Sequence, residues 1–477
     1  MERTRRHELD PKHGRSRDRR STWRWGRLWC GVVFACGSAV AQSVPEAREA
    51  ELVAAREKES RHLGLWSQLT FRREFLKAGE SYFSPDGRRI IFQAIPVPDP
   101  GQAPQEHYSM YVASLTRDAE GGPVGIVDVR RVSPAGSANT CGWFHPTDPD
   151  LILFGSTIEA PLAPNKPGFQ VGTSRYVWSF PENMKVVTLR LSSLREGEEP
   201  RPTPMFERAG YCAEASWDPT GRFVLYTHVD PARQTGEKPD ADIWIFDTTT
   251  RRHHPIVVAP GYDGGPFFSP DATKICYRSD RAGTDLLQLF VAELDRRHAG
   301  EASGVTDDAS KNPGTEVPVG IRAEYQVTAN AHVNWAPFWH PSGRFLVYAS
   351  SEVSHRNYEV FAVAVDDLAG ANALGGAPGG VLGGVPGDEI ETGTLDERGE
   401  IARTRVRSIR SVPRATRELT FAPGADVLPC FSPDGRWMMW TSQRGGMVEG
   451  EARPSSQVWI ARWLEVDPFV PGDQPAK

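Results

Sequence analysis

Acidic side chains stand either five or seven residues ahead of a proline that recurs along the chain. The four are Glu80, Glu214, Asp263 and Asp426. If the segments that carry them converge in the folded chain, four carboxylates meet at one opening and focus a negative potential there. That potential would favour a cation, or the amino terminus or a lysine of a partner peptide. The competing interpretation is that these acids cap turns and face bulk water.

Amide and imidazole groups accompany the acids. Asn139 and Asn334 lie seven residues before their prolines, and His332 comes two residues before Asn334. With the four acids, these three residues form the predicted ligand- or partner-binding opening. His332 with Asp263 and Asp426 is the only set that resembles the ligands of a divalent cation. No spacing among them is diagnostic of metal binding or catalysis. We therefore predict no catalytic residue and no cofactor, with a divalent cation in the opening as the alternative.

The proline belongs to a unit that occurs six times: an aromatic residue, a polar residue, proline, a turn and an apolar segment. The copies begin at Phe83, Phe144, Trp217, Phe268, Trp339 and Phe431. A second aromatic residue follows each proline by seven or eight positions: Phe92, Phe154, Tyr226, Tyr277, Tyr348 and Trp440. Proline presets the backbone for a turn, and the alternating segment after it is typical of a β-strand. We interpret the repeat aromatics as core residues, and His145 and His340 as turn residues that replace the usual serine.

The repeats predict an all-β fold, a six-bladed β-propeller of four-stranded antiparallel blades. After Trp463 the last copy has only three strands. The segment Leu65–Phe71 resembles the fourth-strand segment Glu418–Phe421. We therefore predict that an N-terminal strand completes the last blade and closes the ring, which would leave no edge exposed there.

Individual strands follow from the same pattern. In the second blade we predict the third strand at Tyr176–Phe180 and the fourth at Pro202–Phe206, the most weakly marked of all. The propeller then spans residues 65–463, followed by a tail over 464–477. A long insertion over residues 366–415 contains a glycine-rich loop at Ala369–Asp388.

The first 41 residues differ from the rest. Residues 1–27 are rich in arginine, an apolar run extends from Leu28 to Ala41, and small residues precede Gln42. This order is typical of a secretory signal peptide. We predict its removal, a short helical lead-in over residues 42–64, and a periplasmic or secreted protein with no membrane span. A lipoprotein anchor through Cys36 is the alternative.

Composition excludes several classes of function. The net charge of −6 gives no electrostatic support for nucleic-acid binding. Four cysteines follow the signal segment, Cys141, Cys212, Cys276 and Cys430, and their spacing is not that of a zinc site. We expect a monomer that binds an envelope protein or peptide, preferably through a basic or cationic segment of that partner.

The Phe-Ser-Pro-Asp-Gly copies at Phe83 and Phe431, together with Tyr277–Arg281, resemble the Pro-Asp propeller repeats of the TolB family. The resemblance covers Leu65 to Trp463 and implies a periplasmic propeller that binds protein partners rather than an enzyme. The separate N-terminal α/β domain of TolB has no counterpart in about 20 residues between the signal segment and the first strand. The alternative function is a metal-dependent propeller lyase or lactonase that acts on a saccharide in the axial cleft.

Overall fold

The protein was analysed as a computed structural model, which describes most of the chain after residue 45. The described residues are 46–162, 168–170, 175–177, 179–234, 238–298, 316–368, 389–395, 401–407, 414–464 and 468–469. The predicted signal peptide, Cys36 and the glycine-rich loop Ala369–Asp388 lie outside them, as does most of the tail.

The proline turns fold as their residues predict. Ser84 donates through Oγ to Asp86 and accepts from the backbone N–H of Arg89 at 2.9 Å, and Gly87 takes the left-handed φ of 64° that closes the turn. In the second and fifth copies, the imidazole of a histidine replaces the serine hydroxyl as an acceptor of backbone N–H groups in the turn. The Nδ1 of His145 accepts the N–H of Asp148 at 3.0 Å, and the Nδ1 of His340 accepts the N–H of Ser342 at 3.1 Å.

Helix α1 (Glu46–Glu59) and strand β1 (Leu63–Gln68) precede the first repeat. Blade 1 contains β2 (Phe75–Phe83), β3 (Arg89–Pro96), β4 (Ser109–Arg117) and β5 (Pro123–Arg131). Blade 2 begins with β6 (Asn139–Phe144) and β7 (Leu151–Ser156), followed by the small hairpin of β8 (Gly168–Gln170) and β9 (Arg175–Val177). It ends with β10 (Lys185–Arg190), a 3₁₀ turn (Leu191–Ser193) and β11 (Thr203–Pro204).

Blade 3 contains β12 (Tyr211–Trp217), β13 (Phe223–Val229), β14 (Ala241–Asp247) and β15 (Arg252–Val257). Blade 4 contains β16 (Asp263–Phe268), β17 (Lys274–Ser279), β18 (Gln288–His298) and β19 (Glu316–Gln326). Blade 5 contains β20 (Asn334–Trp339), β21 (Phe345–Ser354) and β22 (Asn357–Ala364). The hairpin of β23 (Glu389–Leu395) and β24 (Ile401–Arg407) follows, and β25 (Thr416–Glu418) ends the blade. Blade 6 contains β26 (Asp426–Phe431), β27 (Trp437–Ser442) and β28 (Gln457–Trp463).

The fourth strand of blade 6 is β1, as predicted. It pairs antiparallel with β28, with Leu63 opposite Trp463 and Gln68 opposite Trp459. The described chain therefore forms six four-stranded antiparallel sheets, and consecutive blades contact one another around a ring. This is the six-bladed propeller that the repeats predict.

The predicted third strand of blade 2 is wrong. The strand that pairs with β7 is β10, in which Lys185 lies opposite Ser156 and Arg190 opposite Leu151. Tyr176 belongs instead to β9 of the β8–β9 hairpin, which forms its own two-stranded sheet. Val186 and Val187 are fully buried in the blade. The third strand therefore forms where aliphatic side chains are buried, and not in the segment whose aromatic residues had suggested a strand.

The core lies between the blades. The six aromatic residues that follow the repeat prolines are all fully shielded from solvent: Phe92, Phe154, Tyr226, Tyr277, Tyr348 and Trp440. Their interpretation as core residues is confirmed. Each lies on the second strand of its blade.

Candidate functional site at the propeller axis

The innermost strand of each blade carries a bulge at the same place. Five residues before each repeat proline the backbone takes a left-handed φ, and the pairing with the second strand shifts there. The residues and their φ values are Glu80 (42°), Cys141 (51°), Glu214 (56°), Gly265 (60°), Ala336 (53°) and Leu428 (56°). A non-glycine residue held in this region is strained, by about 1 kcal/mol. Six such bulges at equivalent positions form a ring around the axis.

Aromatic side chains close the axis just beyond the bulges. Tyr82, Trp143, Phe267 and Phe338, each three residues before its proline, all contact one another. Their ring centroids are 4.8 to 6.1 Å apart. We call these four residues the aromatic plug. It separates a small polar cavity, on the side where the innermost strands begin, from a wider funnel on the side where they end.

The polar cavity measures about 20 Å³, room for about one water molecule. Glu80 accepts hydrogen bonds from the thiol of Cys141 at 2.9 Å and from the hydroxyl of Thr140 at 3.2 Å. Across the cavity, Glu214 pairs with Arg278 at 3.0 Å and accepts the phenol of Tyr262 at 2.6 Å.

Burial governs the protonation of these groups. It raises the pKa of Glu80, although the hydrogen bonds from Cys141 and Thr140 act in the opposite direction. Burial also raises the pKa of the Cys141 thiol, and the neighbouring carboxylates raise it further. The thiol is therefore held protonated as a donor to Glu80. It is not an activated nucleophile.

The funnel is the larger cavity, about 290 Å³. All six blades contribute to its wall with their aromatic and proline residues. The contributing prolines are Pro85, Pro146, Pro219, Pro270, Pro341 and Pro433. The aromatic plug forms its floor, where Trp143, Phe267 and Phe338 remain partly exposed. Among the described residues that line the wall, Asp218 is the only one with a charged side chain, and its carboxylate accepts the N–H groups of Thr220 and Phe223.

The structure brings together only two of the four predicted acids. Glu80 and Glu214 line the polar cavity, but Asp263 and Asp426 do not. Asp263 is fully buried against Arg281 at 2.8 Å, and Asp426 against Arg444 at 2.6 Å. Both arginines lie in the loop that follows the second strand of the same blade, 18 positions after the acid that they bind. The four acids therefore neither crowd one opening nor face bulk water: three of them pair with arginines, and Glu80 accepts hydrogen bonds from Cys141 and Thr140.

The other three predicted site residues, Asn139, Asn334 and His332, also make hydrogen bonds near the first residue of an innermost strand. Asn139 is fully buried and donates to the carbonyl oxygen of Tyr108 at 2.8 Å. Asn334, equally buried, donates to Asn330 at 2.8 Å and accepts from Ser350 at 2.9 Å. The backbone of His332 belongs to the same network, since its carbonyl oxygen accepts from Gln288 at 2.9 Å. None of the three lines the polar cavity or the funnel.

The aromatic plug and the funnel were not predicted. The predicted site draws only on the positions five and seven residues before each proline. The position three residues before the proline reads Tyr82, Trp143, Ser216, Phe267, Phe338 and Cys430. Four of the six copies carry an aromatic residue at this position, which faces the axis. This repetition is the sequence signal that could have predicted the aromatic plug.

Several other properties bear on function. Within the described ranges, no group of three or more His, Cys, Asp or Glu side chains is arranged to hold a metal ion. The cysteines Cys141, Cys212, Cys276 and Cys430 carry free thiols. Among the described residues no helix has the length and apolar character needed to span a bilayer.

No protein-family model and no curated protein matches the chain. Similar solved structures include a putative TolB from Agrobacterium tumefaciens, at 14% identity and a TM-score of 0.36, covering 85% of this chain and 99% of that one. TolB from Acinetobacter baumannii is similar at 13% identity and a TM-score of 0.38, covering 88% and 69%. Oligogalacturonate lyase from Vibrio parahaemolyticus is similar at 11% identity and a TM-score of 0.38, covering 83% and 93%. At these identities and scores, the likenesses assign no function to the chain.

Proposed function

We propose that this protein is an exported, non-enzymatic, TolB-like propeller of the cell envelope that binds a peptide or protein segment in its funnel. The observation that carries the proposal is the funnel itself, a cavity of about 290 Å³ to which every blade contributes an aromatic-proline turn. Binding sites in proteins are typically concave and largely apolar. An exposed apolar surface with no partner would carry a solvation cost.

The funnel favours an apolar partner. The acids that motivated a basic or cationic partner are buried or paired, and Glu80 and Glu214 lie on the far side of the aromatic plug. On the funnel side, the carboxylate of Asp218 is already occupied by its own turn. Burying apolar side chains against the plug would supply the binding free energy, at roughly 25 cal/mol per Å² of apolar surface removed from water.

The test places charge at the mouth of the funnel without touching the core. Pro219 and Pro433 are exposed and line the funnel, whereas Pro149 is exposed in a neighbouring turn that does not. We expect Pro219→Arg and Pro433→Arg to weaken the binding of Nile red, a neutral apolar dye, about tenfold, measured by fluorescence titration. Pro149→Arg is the matched control and should bind the dye like the wild type. Equal dye binding by all four proteins would refute the funnel as a binding site.

Export is tested separately. The arginine-rich, apolar and small-residue order of residues 1–41 supports cleavage before Gln42. Mass spectrometry of the mature protein from envelope extracts should give an N-terminus at or near Gln42. A lipidated N-terminus at Cys36 would establish the anchored alternative, and an intact arginine-rich segment would contradict export by either route.

The alternative class, a metal-dependent lyase, is distinguished by direct metal analysis of the purified protein. A stoichiometric divalent cation that resists dialysis would favour the lyase. For the binding propeller we expect cleavage of no saccharide and the same Nile red affinity before and after treatment with a chelator.

A further inference from the structure

The last described residues of the chain lie beyond β28, in the core between blades 5 and 6. After β28, the backbone N–H of Leu464 donates to the carbonyl oxygen of His62 at 3.0 Å. Pro468 is buried, and the ring of Phe469 makes an edge contact with Phe345 of blade 5, with the ring centroids 6.4 Å apart. Phe469 thereby packs against the apolar core that blades 5 and 6 share. This anchor fixes the point from which the following residues start.

The anchor lies close to the wall of the funnel. The ring of Phe345 lies 6.3 Å from that of Phe431, centroid to centroid. The imidazole of His340 contacts both rings, at 4.4 Å from Phe345 and 4.6 Å from Phe431. Phe431 and Pro341, the residue after His340, both line the funnel. Phe469 is therefore two ring contacts away from the funnel wall.

The sequence after Phe469 is long enough to reach the funnel. Eight residues follow: Val470, Pro471, Gly472, Asp473, Gln474, Pro475, Ala476 and Lys477. An extended chain spans about 3.3 Å per residue, so four residues span about 13 Å. That length matches the two ring-to-ring distances from Phe469 to Phe431 taken together. The other four residues are enough to enter the cavity.

We infer that the segment Val470–Lys477, which we call the tail segment, fills the funnel when no partner is bound, and that a partner binds by displacing it. The inference rests on the proposed function and deepens it by naming what regulates access to the funnel. The same apolar wall then contacts the tail segment and the partner in turn.

Covalent attachment makes a weak contact sufficient. Because Phe469 holds the tail segment beside the funnel wall, its local concentration there is about millimolar, as for other short tethers. Val470, Pro471 and Ala476 are uncharged and would leave water on entering a wall of aromatic and proline side chains. A partner then meets an open funnel in only a fraction of the molecules, and its apparent affinity falls by that fraction.

The experiment compares the mature chain, residues 42–477, with a chain that ends at Phe469, in fluorescence titrations with Nile red. We expect the shortened chain to bind the dye at least fivefold more tightly, because it keeps the anchor and loses the competing segment. Val470→Asp in the full mature chain should have the same effect, since a carboxylate at this position opposes entry into an apolar cavity. Val353→Asp is the matched control, because Val353 is 50% exposed at the end of β21 and does not line the funnel. It should bind the dye like the wild type, and thermal melting shows that each variant is folded.

A second measurement locates the tail segment directly. With p-benzoylphenylalanine in place of Gln474, we expect ultraviolet light to cross-link the chain to the proline turns that line the funnel, as mapped by mass spectrometry. The yield should not depend on protein concentration. A yield that rises with concentration would assign the segment to a second copy of the chain and refute the intrachain contact.

The outcomes separate this inference from the proposed function. Equal dye affinity of the mature and shortened chains would overturn the tail segment as the occupant and leave the funnel as a binding site. Cross-links confined to the outer strands of the blades would do the same. If neither chain binds the dye, the proposed function fails and the inference fails with it.

Discussion

The carboxylate of Glu59, at the end of helix α1, binds the guanidinium of Arg444 through two hydrogen bonds of 3.0 Å each, although the two residues are 385 positions apart. Glu59 also accepts the backbone N–H of Phe421 at 3.0 Å. Both side chains of the pair are almost completely buried. Since β1 follows α1 directly, this contact fixes the end of α1 beside the blade that β1 completes.

Removing one partner of this pair should be costly. Glu59→Ala leaves the Arg444 guanidinium buried with Asp426 as its remaining acid, so we expect the free energy of unfolding to fall by about 3 kcal/mol. Glu57→Ala, two residues earlier on the exposed side of α1, is the matched control and should change it by less than about 0.5 kcal/mol. Urea denaturation of both variants measures the difference. Equal values would mean that α1 does not stabilise the propeller.

Ring closure by β1 should decide whether the propeller folds. A chain that lacks residues 1–60 loses α1 but keeps β1, and we expect it to remain soluble with a lower melting temperature. A chain that lacks residues 1–71 also exposes the outer edge of β28, and we expect it to aggregate. Circular dichroism melts and size-exclusion chromatography separate the two. Cooperative melting of the shorter chain would show that closure is dispensable.

The fold could be predicted from the repeats because proline turns and alternating strands are local sequence signals. The closing strand could be predicted because its segment resembles Glu418–Phe421. The site was harder to predict. Position relative to the proline indicated that Glu214 and Asp263 would both lie near the axis, but strand pleat decides which way each side chain points. Glu214 sits on a bulge and lines the polar cavity, whereas Asp263 turns inward to Arg281. That partner lies 18 positions later in the same blade, and Asp426 pairs with Arg444 at the same separation, so a comparison of the repeats could have revealed it.

Acid should destabilise the protein through His228. Its side chain is 3% exposed, and burial, together with the nearby Arg208, His253 and Arg233, lowers its pKa to about 3. The unfolded chain binds this proton near pH 6.5 and the folded chain only near pH 3, so stability is lost as the pH falls through that window. We expect His228→Gln to lose less stability between pH 7 and pH 4, by on the order of 2 kcal/mol. His355→Gln, on an exposed turn, is the matched control, and urea denaturation should give it the same loss of stability between pH 7 and pH 4 as the wild type.

Glu80 and Glu214 line the same cavity, yet replacing each of them with glutamine should change the free energy of unfolding by different amounts. Glu214→Gln removes the charge that pairs with buried Arg278, and we expect the free energy of unfolding to fall by about 3 kcal/mol. Burial raises the pKa of Glu80, and the amide oxygen of Glu80→Gln can still accept the Cys141 thiol. We expect that variant to lose less than about 1 kcal/mol at pH 7. Because its pKa is raised in the folded chain, Glu80 ionises in the unfolded chain at a lower pH than in the folded chain. The free energy of unfolding therefore falls as the pH rises through this window, and Glu80→Gln should remove that dependence. Urea denaturation at several pH values tests both statements, and equal losses for the two amides would show that Arg278 does not depend on Glu214.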